Sequence, residues 1–218
     1  MTISYTSRTL RNLHKIKTSA LFMKLDIQKA FDTVNWSYLL EVLQAFSFGP
    51  HWCEWIAILF CTTTSRALLN GTLGPKFSHA RGVRQGDPLS PMLFILAMDP
   101  LQWLLDMAIG HNVLTGLPLA IKWRMSMYAD DASIFISPQK EDIEAIKIIL
   151  EAFGKASGLH INMDKSSFHP IRCENIDLDH VLSAFSGTRG NFPCRYLGFQ
   201  LHAAPKNPCP ATHRTHRP

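Results

Sequence analysis

Met127-Tyr128-Ala129-Asp130-Asp131-Ala132 is the stretch on which the fold turns. Apolar or small residues precede the acidic pair (Met125, Met127, Ala129) and follow it (Ala132, Ile134, Phe135, Ile136). Short runs of this kind, rich in strand-favouring residues, predict two buried strands joined at the two carboxylates. A tight hairpin ordinarily turns on Asn-Gly or Asp-Gly, because its central residues need positive φ. Asp-Asp is a poor substitute, and like charges held beside a core raise each other's pKa. A divalent cation is the simplest counter-charge. A solvated acidic loop is the alternative that this stretch alone leaves open.

The rest of the chain frames that hairpin. Leu21-Phe-Met-Lys-Leu-Asp26-Ile27 alternates as a strand, with Leu21, Met23, Leu25 and Ile27 on one face and Phe22, Lys24 and Asp26 on the other. Asp26 stands near its end and needs a partner or a turn to cap. Asn35 caps a helix over 36–46, Gly49-Pro50 breaks it, and a strongly apolar helix over 51–61 reads as buried. Asn70-Gly71 turns a hairpin. Arg81-Gly-Val-Arg84-Gln85-Gly86-Asp-Pro-Leu-Ser90-Pro91 is a shaped loop running into an apolar helix, with Ser90 as N-cap and Pro91 at the first helical position. Its arginines suit phosphate, and its glycines allow close approach. Residues 141–156 have the spacing of an amphipathic helix ending at Gly158. A short strand at 159–163, a short helix within 176–185 and a last strand at 196–201 follow.

With 46% hydrophobic and 18% charged residues, the 218-residue chain has a globular composition. No uninterrupted apolar run approaches the ~20 residues of a membrane span, and the N-terminus lacks a signal-peptide pattern. The net charge of +5 comes from Arg189, Arg195, Lys206, Arg214 and Arg217; residues 1–179 are neutral. Total charge therefore argues for no partner, and a basic groove would have to arise from spatial arrangement. Five cysteines at irregular spacing predict free thiols. Cys194, Cys209, His213 and His216 are too widely spaced for an ordinary zinc site.

Five blocks occur in a fixed order: Lys24-Leu-Asp26-Ile-Gln-Lys-Ala-Phe31-Asp32-Thr-Val-Asn-Trp36, Arg81 to Pro91, Tyr128-Ala-Asp-Asp131, Ser157-Gly-Leu-His-Ile-Asn-Met-Asp-Lys165-Ser, and Tyr196-Leu-Gly198. In this the chain resembles the reverse-transcriptase domain of plant non-LTR (LINE-type) retrotransposons. The resemblance implies an α+β polymerase palm, an antiparallel ferredoxin-like sheet backed by helices. It implies RNA-directed DNA polymerase activity with an RNA template, a DNA primer and dNTPs. Two Mg²⁺ ions, or Mn²⁺ in their place, would be held by Asp26, Asp130 and Asp131.

It further implies that Phe31 excludes a ribose 2′-hydroxyl, that Arg84, Gln85 and Gly86 lie against nucleotide and template, and that Lys165 protonates pyrophosphate. Tyr196, Leu197 and Gly198 would form the primer grip. The polar, basic first twenty residues read as a helix or an unanchored arm, and the domain expectation is an N-terminal remnant or arm at 1–20, a palm at 21–202 and a disordered tail at 203–218. Fingers mostly missing and an absent thumb mark a truncated fragment, weak or inactive alone. The family implies an intracellular setting, nucleus or cytoplasm, and no membrane. Two other readings share the hairpin: a non-catalytic remnant serving as a nucleic-acid or protein-binding scaffold, and an RNA-directed RNA polymerase.

Overall fold

A computed structural model describes residues 2–118, 124–128 and 131–203. Its centre is a five-stranded sheet of order β4-β5-β1-β6-β7, with β1 at Ala20–Ile27, β4 at Met125–Tyr128, β5 at Asp131–Ile136, β6 at Ile161–Ile171 and β7 at Thr188–Arg189. Every pairing is antiparallel except β6 with β7. The alternation in β1 is realised as predicted: Leu21, Met23, Leu25 and Ile27 enter the main core, while Phe22 enters a second core on the other face.

The main core lies between the sheet and the helices α3 (Trp36–Ala45), α4 (Pro50–Cys61), α5 (Ser90–Gly110) and α6 (Lys140–Ser157). Asn35 caps α3 as expected, its side chain accepting from the Ser37 and Tyr38 amides. Gly158 ends α6 in the left-handed conformation. Helix α5 is the one helix among the described residues long and apolar enough to cross a membrane (21 residues, mean hydropathy 1.5). Counting only uninterrupted apolar runs passes over it. Its Leu93, Phe94, Ala97, Met98, Leu101 and Leu105 pack into the core against the sheet-facing helices.

The second core is closed by α1 (Thr2–Lys15) and by a hairpin of β8 (Cys194–Tyr196) and β9 (Phe199–Leu201). Phe22 is its hub, with ring centroids at 5.1 Å from Phe135 and 5.8 Å from Tyr196. A separate hairpin joins β2 (Thr64–Leu69) to β3 (Thr72–Ser78) through Asn70 and Gly71, both at positive φ.

Of the helix and the unanchored arm that residues 1–20 allow, the structure has the helix, α1, with Leu10 and Leu13 fully buried beneath the sheet. Four expectations need correction. Helix α4 buries only Cys53, Ile56 and Phe60, while Trp55, Ile58 and Leu59 are exposed. Ser90 is the first residue of α5 and not its cap; the Asp87 carboxylate accepts from the Leu89 amide at 2.8 Å instead. The short strand at 159–163 is the start of the 11-residue β6. The final strand is two, turned at Leu197-Gly198, both at positive φ. The tail expected to be disordered falls almost wholly outside the described residues, as do Ala129 and Asp130. Cys53, Cys61, Cys173 and Cys194 are free thiols.

Candidate active site

Asp26 and Asp131 are direct cross-strand partners in the β1–β5 ladder, although more than a hundred residues separate them. Directly opposed residues in antiparallel strands present their side chains to one face, with Cβ atoms about 4.5–5.5 Å apart. Both residues are exposed. They belong to the Phe22–Lys24 face, at the end of the sheet that the α1 and β8–β9 packing leaves uncovered. Tyr128 pairs with Asp131, so the two residues joining β4 to β5 are Ala129 and Asp130. Asp130 lies outside the described residues. Among the described residues no group of three or more His, Cys, Asp or Glu side chains converges. Two adjacent exposed carboxylates nonetheless fit a hard cation such as magnesium, which takes one or two protein carboxylates and completes its octahedron with water and phosphate oxygens.

Next to Asp26, strand β6 bulges. Asp26 pairs with Asn162 and Lys24 with Ser167, so residues 163–166 are accommodated opposite Leu25 alone. Lys165 sits exposed in this bulge, its amide held by the Asn162 side chain at 3.3 Å. The Asp26 amide donates to Ser166 Oγ at 3.2 Å. The bulge is what carries Lys165 to the acidic end of the sheet, since bulges re-aim a strand.

Phe31, in the helical turn α2 (Ala30–Thr33), stacks on Phe94 at 4.7 Å between centroids. With Gln85, Gly86, Ser90 and Pro91 it lines a cavity of about 320 Å³. The loop that brings Gln85 there is strapped to the first block by backbone. The Gly82 amide donates to Val34 O (2.8 Å) and the Val83 amide to Phe31 O (2.7 Å), and the Trp36 indole donates to Gly82 O (2.6 Å). Gly82 is at φ +86, and a Cβ there would lie 2.7 Å from Asp32 O. The Gln85 amide donates to the Asp32 carboxylate at 3.3 Å. Arg84 is not on the Phe31 cavity. It lines a larger one, about 500 Å³, with Asp32, Ser65, His79, Arg81 and Gln85.

Tyr196 is buried, its ring in the second core. Ser133 Oγ lies 3.3 Å from both the Tyr196 hydroxyl and Ser126 O, so its one proton is shared between these two acceptors. Thr6 of α1 donates to Ser126 Oγ at 3.2 Å. Burial pushes the Tyr196 phenol above its ordinary pKa; the Ser133 hydrogen bond opposes that and the nearby Asp131 carboxylate adds to it. Tyr196 thus supports the acidic hairpin from behind, and only Leu197 and Gly198 occupy the turn. Lys24 donates to Arg195 O at 2.9 Å and ties this hairpin to β1. Sequence reasoning missed Thr6, Ser126 and Ser133 as a unit. The available signal was Ser133, a lone polar residue in an apolar strand, which must find a partner when buried.

Residues 1–201 match the family described as reverse transcriptase (RNA-dependent DNA polymerase). The chain is 37% identical over 152 residues to an uncharacterized 149 kDa protein of transposon TX1 from Xenopus laevis, covering 68% of this chain and 11% of that one. It is 30% identical over 159 residues to the Pol polyprotein of the type-2 retrotransposable element R2DM from Drosophila melanogaster, covering 72% and 14%. The matched region therefore spans only about a tenth to a seventh of these relatives.

Among solved structures, apo telomerase from Candida tropicalis superposes with a TM-score of 0.56 at 18% identity, over 77% of this chain and 34% of that one. Telomerase from the same organism with a fragment of telomeric RNA gives 0.59 at 13% identity, over 99% and 33%. These likenesses show a shared mixed α/β fold. With the family match over nearly its whole length and relatives in two non-LTR elements, this chain belongs to the reverse transcriptase (RNA-dependent DNA polymerase) family.

Proposed function

We propose that the chain is the palm of a non-LTR retrotransposon reverse transcriptase, of the plant LINE type that its sequence blocks resemble. It would extend a DNA primer on an RNA template by nucleotidyl transfer. The observation that carries this reading is the Asp26–Asp131 register, which joins the first and third sequence blocks at one point of the sheet. The strand order β4-β5-β1-β6, with helices between β1 and β4 and between β5 and β6, supports the palm assignment, since it is the ferredoxin-like split βαβ arrangement.

Asp26, Asp131 and Asp130 are the residues proposed to hold two Mg²⁺ ions. Bound there, the ions would supply charge neutralisation and lower the pKa of the attacking hydroxyl. The chain's own part is positional. Asp26 and Asp131 present carboxylate oxygens from adjacent strands, so their spacing is set by the ladder and not by flexible loops. Phe31 is braced by Phe94 and bounds the cavity with Gln85 and Gly86; a rigid ring at that wall would collide with a 2′-hydroxyl and favour deoxynucleotides. Lys165 stands in the β6 bulge on the acidic side, where an ammonium can offer a proton to a departing phosphate oxygen. The Leu197-Gly198 turn is the primer-facing part of the β8–β9 hairpin, with Tyr196 as its buried root.

Primer extension on an RNA template with Mg²⁺ tests the proposal. From this chain alone, dideoxy-terminable DNA synthesis is expected to be weak and to be abolished in Asp130→Asn and Asp26→Asn. Ribonucleotides should be incorporated poorly until Phe31→Ala opens the wall. Metal-independent extension would refute the two-metal reading, and a folded chain that neither extends a primer nor binds Mg²⁺ would have a non-catalytic role.

A further inference from the structure

The helices that cover the main core are one-sided in charge. No lysine or arginine occurs between Lys29 and Arg66 or between Arg84 and Lys122, the two intervals that contain α3, α4 and α5. Those helices carry Glu41, Glu54, Asp99 and Asp106, all exposed. Helix α1, which closes the second core on the other face of the sheet, is the reverse. No carboxylate precedes Asp26, and α1 exposes Arg8, Arg11 and Lys15. The near-neutral total over most of the chain therefore hides a sorting of charge between the two sides of the sheet.

On the acidic side, α3 and α5 leave an apolar cavity of about 300 Å³ between them, lined by Val42, Ala45, Phe46, Asp99, Pro100 and Trp103. That is the small end of ligand-pocket sizes and suits an anchoring side chain. Phe46 is 45% exposed and Trp103 60% exposed at its mouth. Helical spacing puts Asp99 one turn before Trp103 on α5, and Glu41 one turn before Ala45 on α3. Among the described residues neither Glu41 nor Asp99 forms an ion pair. The Asp99 charge reaches across to α3, where it adds to the rise that burial imposes on the Tyr38 phenol pKa. Asp106, farther along α5, is engaged by Gln102 at 2.9 Å and lies within range of the Arg124 charge.

Exposed aromatic rings around an apolar cavity, with charge at the rim, have the anatomy of a protein interface. The sign of that charge selects the occupant. Nucleic acid and anionic lipid would bring phosphates to Glu41 and Asp99, on helices that offer no cation to receive them. We infer that the α3–α5 groove docks a cationic amphipathic helix of a partner protein, with an aromatic or leucine side chain in the cavity against Phe46 and Trp103 and lysine or arginine on Glu41 and Asp99. Helix-in-groove recognition uses apolar anchors at i, i+3 or i+4, and i+7, and a groove between two helices accepts them. The inference goes beyond the polymerase reading and does not depend on it, since Asp26 and Asp131 lie on the other face of the sheet.

The test is binding of three fluorescent helical peptides of one design, each four turns long, to the full chain. The first has Trp and Leu at i, i+4 and i+7 with Lys on the flanks; the second has Glu in place of Lys; the third keeps Lys and replaces the apolar residues with Ser. Only the first should bind, and raising the ionic strength from about 0.05 to 0.5 M should weaken it as screening shortens. Trp103→Ala should weaken it about tenfold, as truncation of an aromatic anchor does at interfaces. Asp99→Lys should abolish the preference for Lys over Glu. Both positions are exposed, so melts of the two variants should match that of the native chain. Absence of binding by the first peptide, equal binding of the Lys and Glu peptides, or unchanged affinity in Trp103→Ala would each overturn the assignment. So would Trp103-dependent self-association in sedimentation, which would make this face a contact between copies of the chain, or Trp103-dependent binding to phosphatidylcholine vesicles, which would make it a membrane surface.

Discussion

Replacing Asp26 with Asn separates a carboxylate kept for fold from one kept for chemistry. Asp26 and Asp131 face each other across the ladder, both exposed. At a side-chain separation of about 5 Å in water-like dielectric, two unit charges repel by about 0.8 kcal/mol, and ionic strength near 0.1 M trims that to roughly 0.5 kcal/mol. Opposed like charges in sheets destabilise by amounts of this order. The fold contact at this residue is the backbone amide donated to Ser166, which Asn retains. Without metal, therefore, Asp26→Asn should be more stable than the native chain by about 0.5 kcal/mol. That is a rise of roughly 1–2 °C in Tm for a domain of this size.

Divalent cation should reverse the order. A ligand at a hundred times its dissociation constant stabilises by about 2.7 kcal/mol, so Mg²⁺ should raise the Tm of the native chain by several degrees and that of Asp26→Asn far less. Calorimetric or fluorescence melts with EDTA and with Mg²⁺ measure both signs. The double variant with Asp131→Asn should gain nothing further in EDTA from the Asp26–Asp131 repulsion, since either substitution removes it. If Asp26→Asn lowers the metal-free Tm, the residue is a strand-end cap and the functional reading of the register fails. Equal Mg²⁺ shifts in native and variant chains would refute it as well.

Two further perturbations probe the scaffold. Gly82→Ala places a Cβ 2.7 Å from Asp32 O at φ +86 and should cost at least about 2 kcal/mol. Gly86→Ala, at φ +85 with open space around it, should cost only the ~1–2 kcal/mol of the backbone conformation; equal losses in chemical denaturation would show that the contact with Asp32 is not tight. His169 has its pKa lowered by burial, which the bond to Asn191 O opposes and the Lys24 ammonium, to a smaller extent, reinforces. The unfolded chain therefore binds this proton more readily than the folded one. The stability contribution is complete above about pH 6.5 and is lost as pH falls from there through the lowered folded pKa. His169→Gln should flatten the decline in Tm between pH 7 and 5; an unchanged decline would place its origin elsewhere.

The sheet was largely legible because its strands carry unbroken alternation or continuous apolar runs. Leu21–Ile27 and Ala132–Ile136 have few other ways to bury themselves. Strand β6 was read short because Asp164, Lys165 and Ser166 interrupt its pattern, and only the structure reveals that the interruption is a bulge spanned by Leu25. For residues 1–20 the sequence left a helix and an unanchored arm open, because Leu10 and Leu13 sit in a polar, basic segment and their burial depends on a sheet face formed by residues far along the chain. Helix α4 misled in the opposite direction: its composition is apolar on every side, and periodicity cannot say which side a neighbour will cover. In the site, Asp26, Phe31 and Gln85 were individually visible, whereas the Tyr196–Ser133–Ser126–Thr6 chain is assembled from four separate elements and leaves almost no local signal.

Much of what makes the chain recognisable is backbone support for the site and not the chemistry itself. The turn over residues 28–36 is held from two sides. On one, Gly82 and Val83 bond to Val34 and Phe31; on the other, the Gln28 amide donates to His160 O and the Asn35 amide to Ser157 O. Gly158 comes so close to Thr33 O that a side chain could not be fitted. Two sequence blocks, Arg81-Gly-Val and Ser157-Gly-Leu, therefore meet on the turn that follows Asp26, and each needs glycine at the point of contact. Phe31 inherits its position from that double clamp, since its own helical turn is only four residues long. A substitution that loosens either glycine contact should move the Phe31 wall before it moves Asp26, whose place is fixed independently by ladders on both sides of β1. If Phe31 and Asp26 carry the proposed roles, such a substitution should change sugar selectivity before it changes metal affinity.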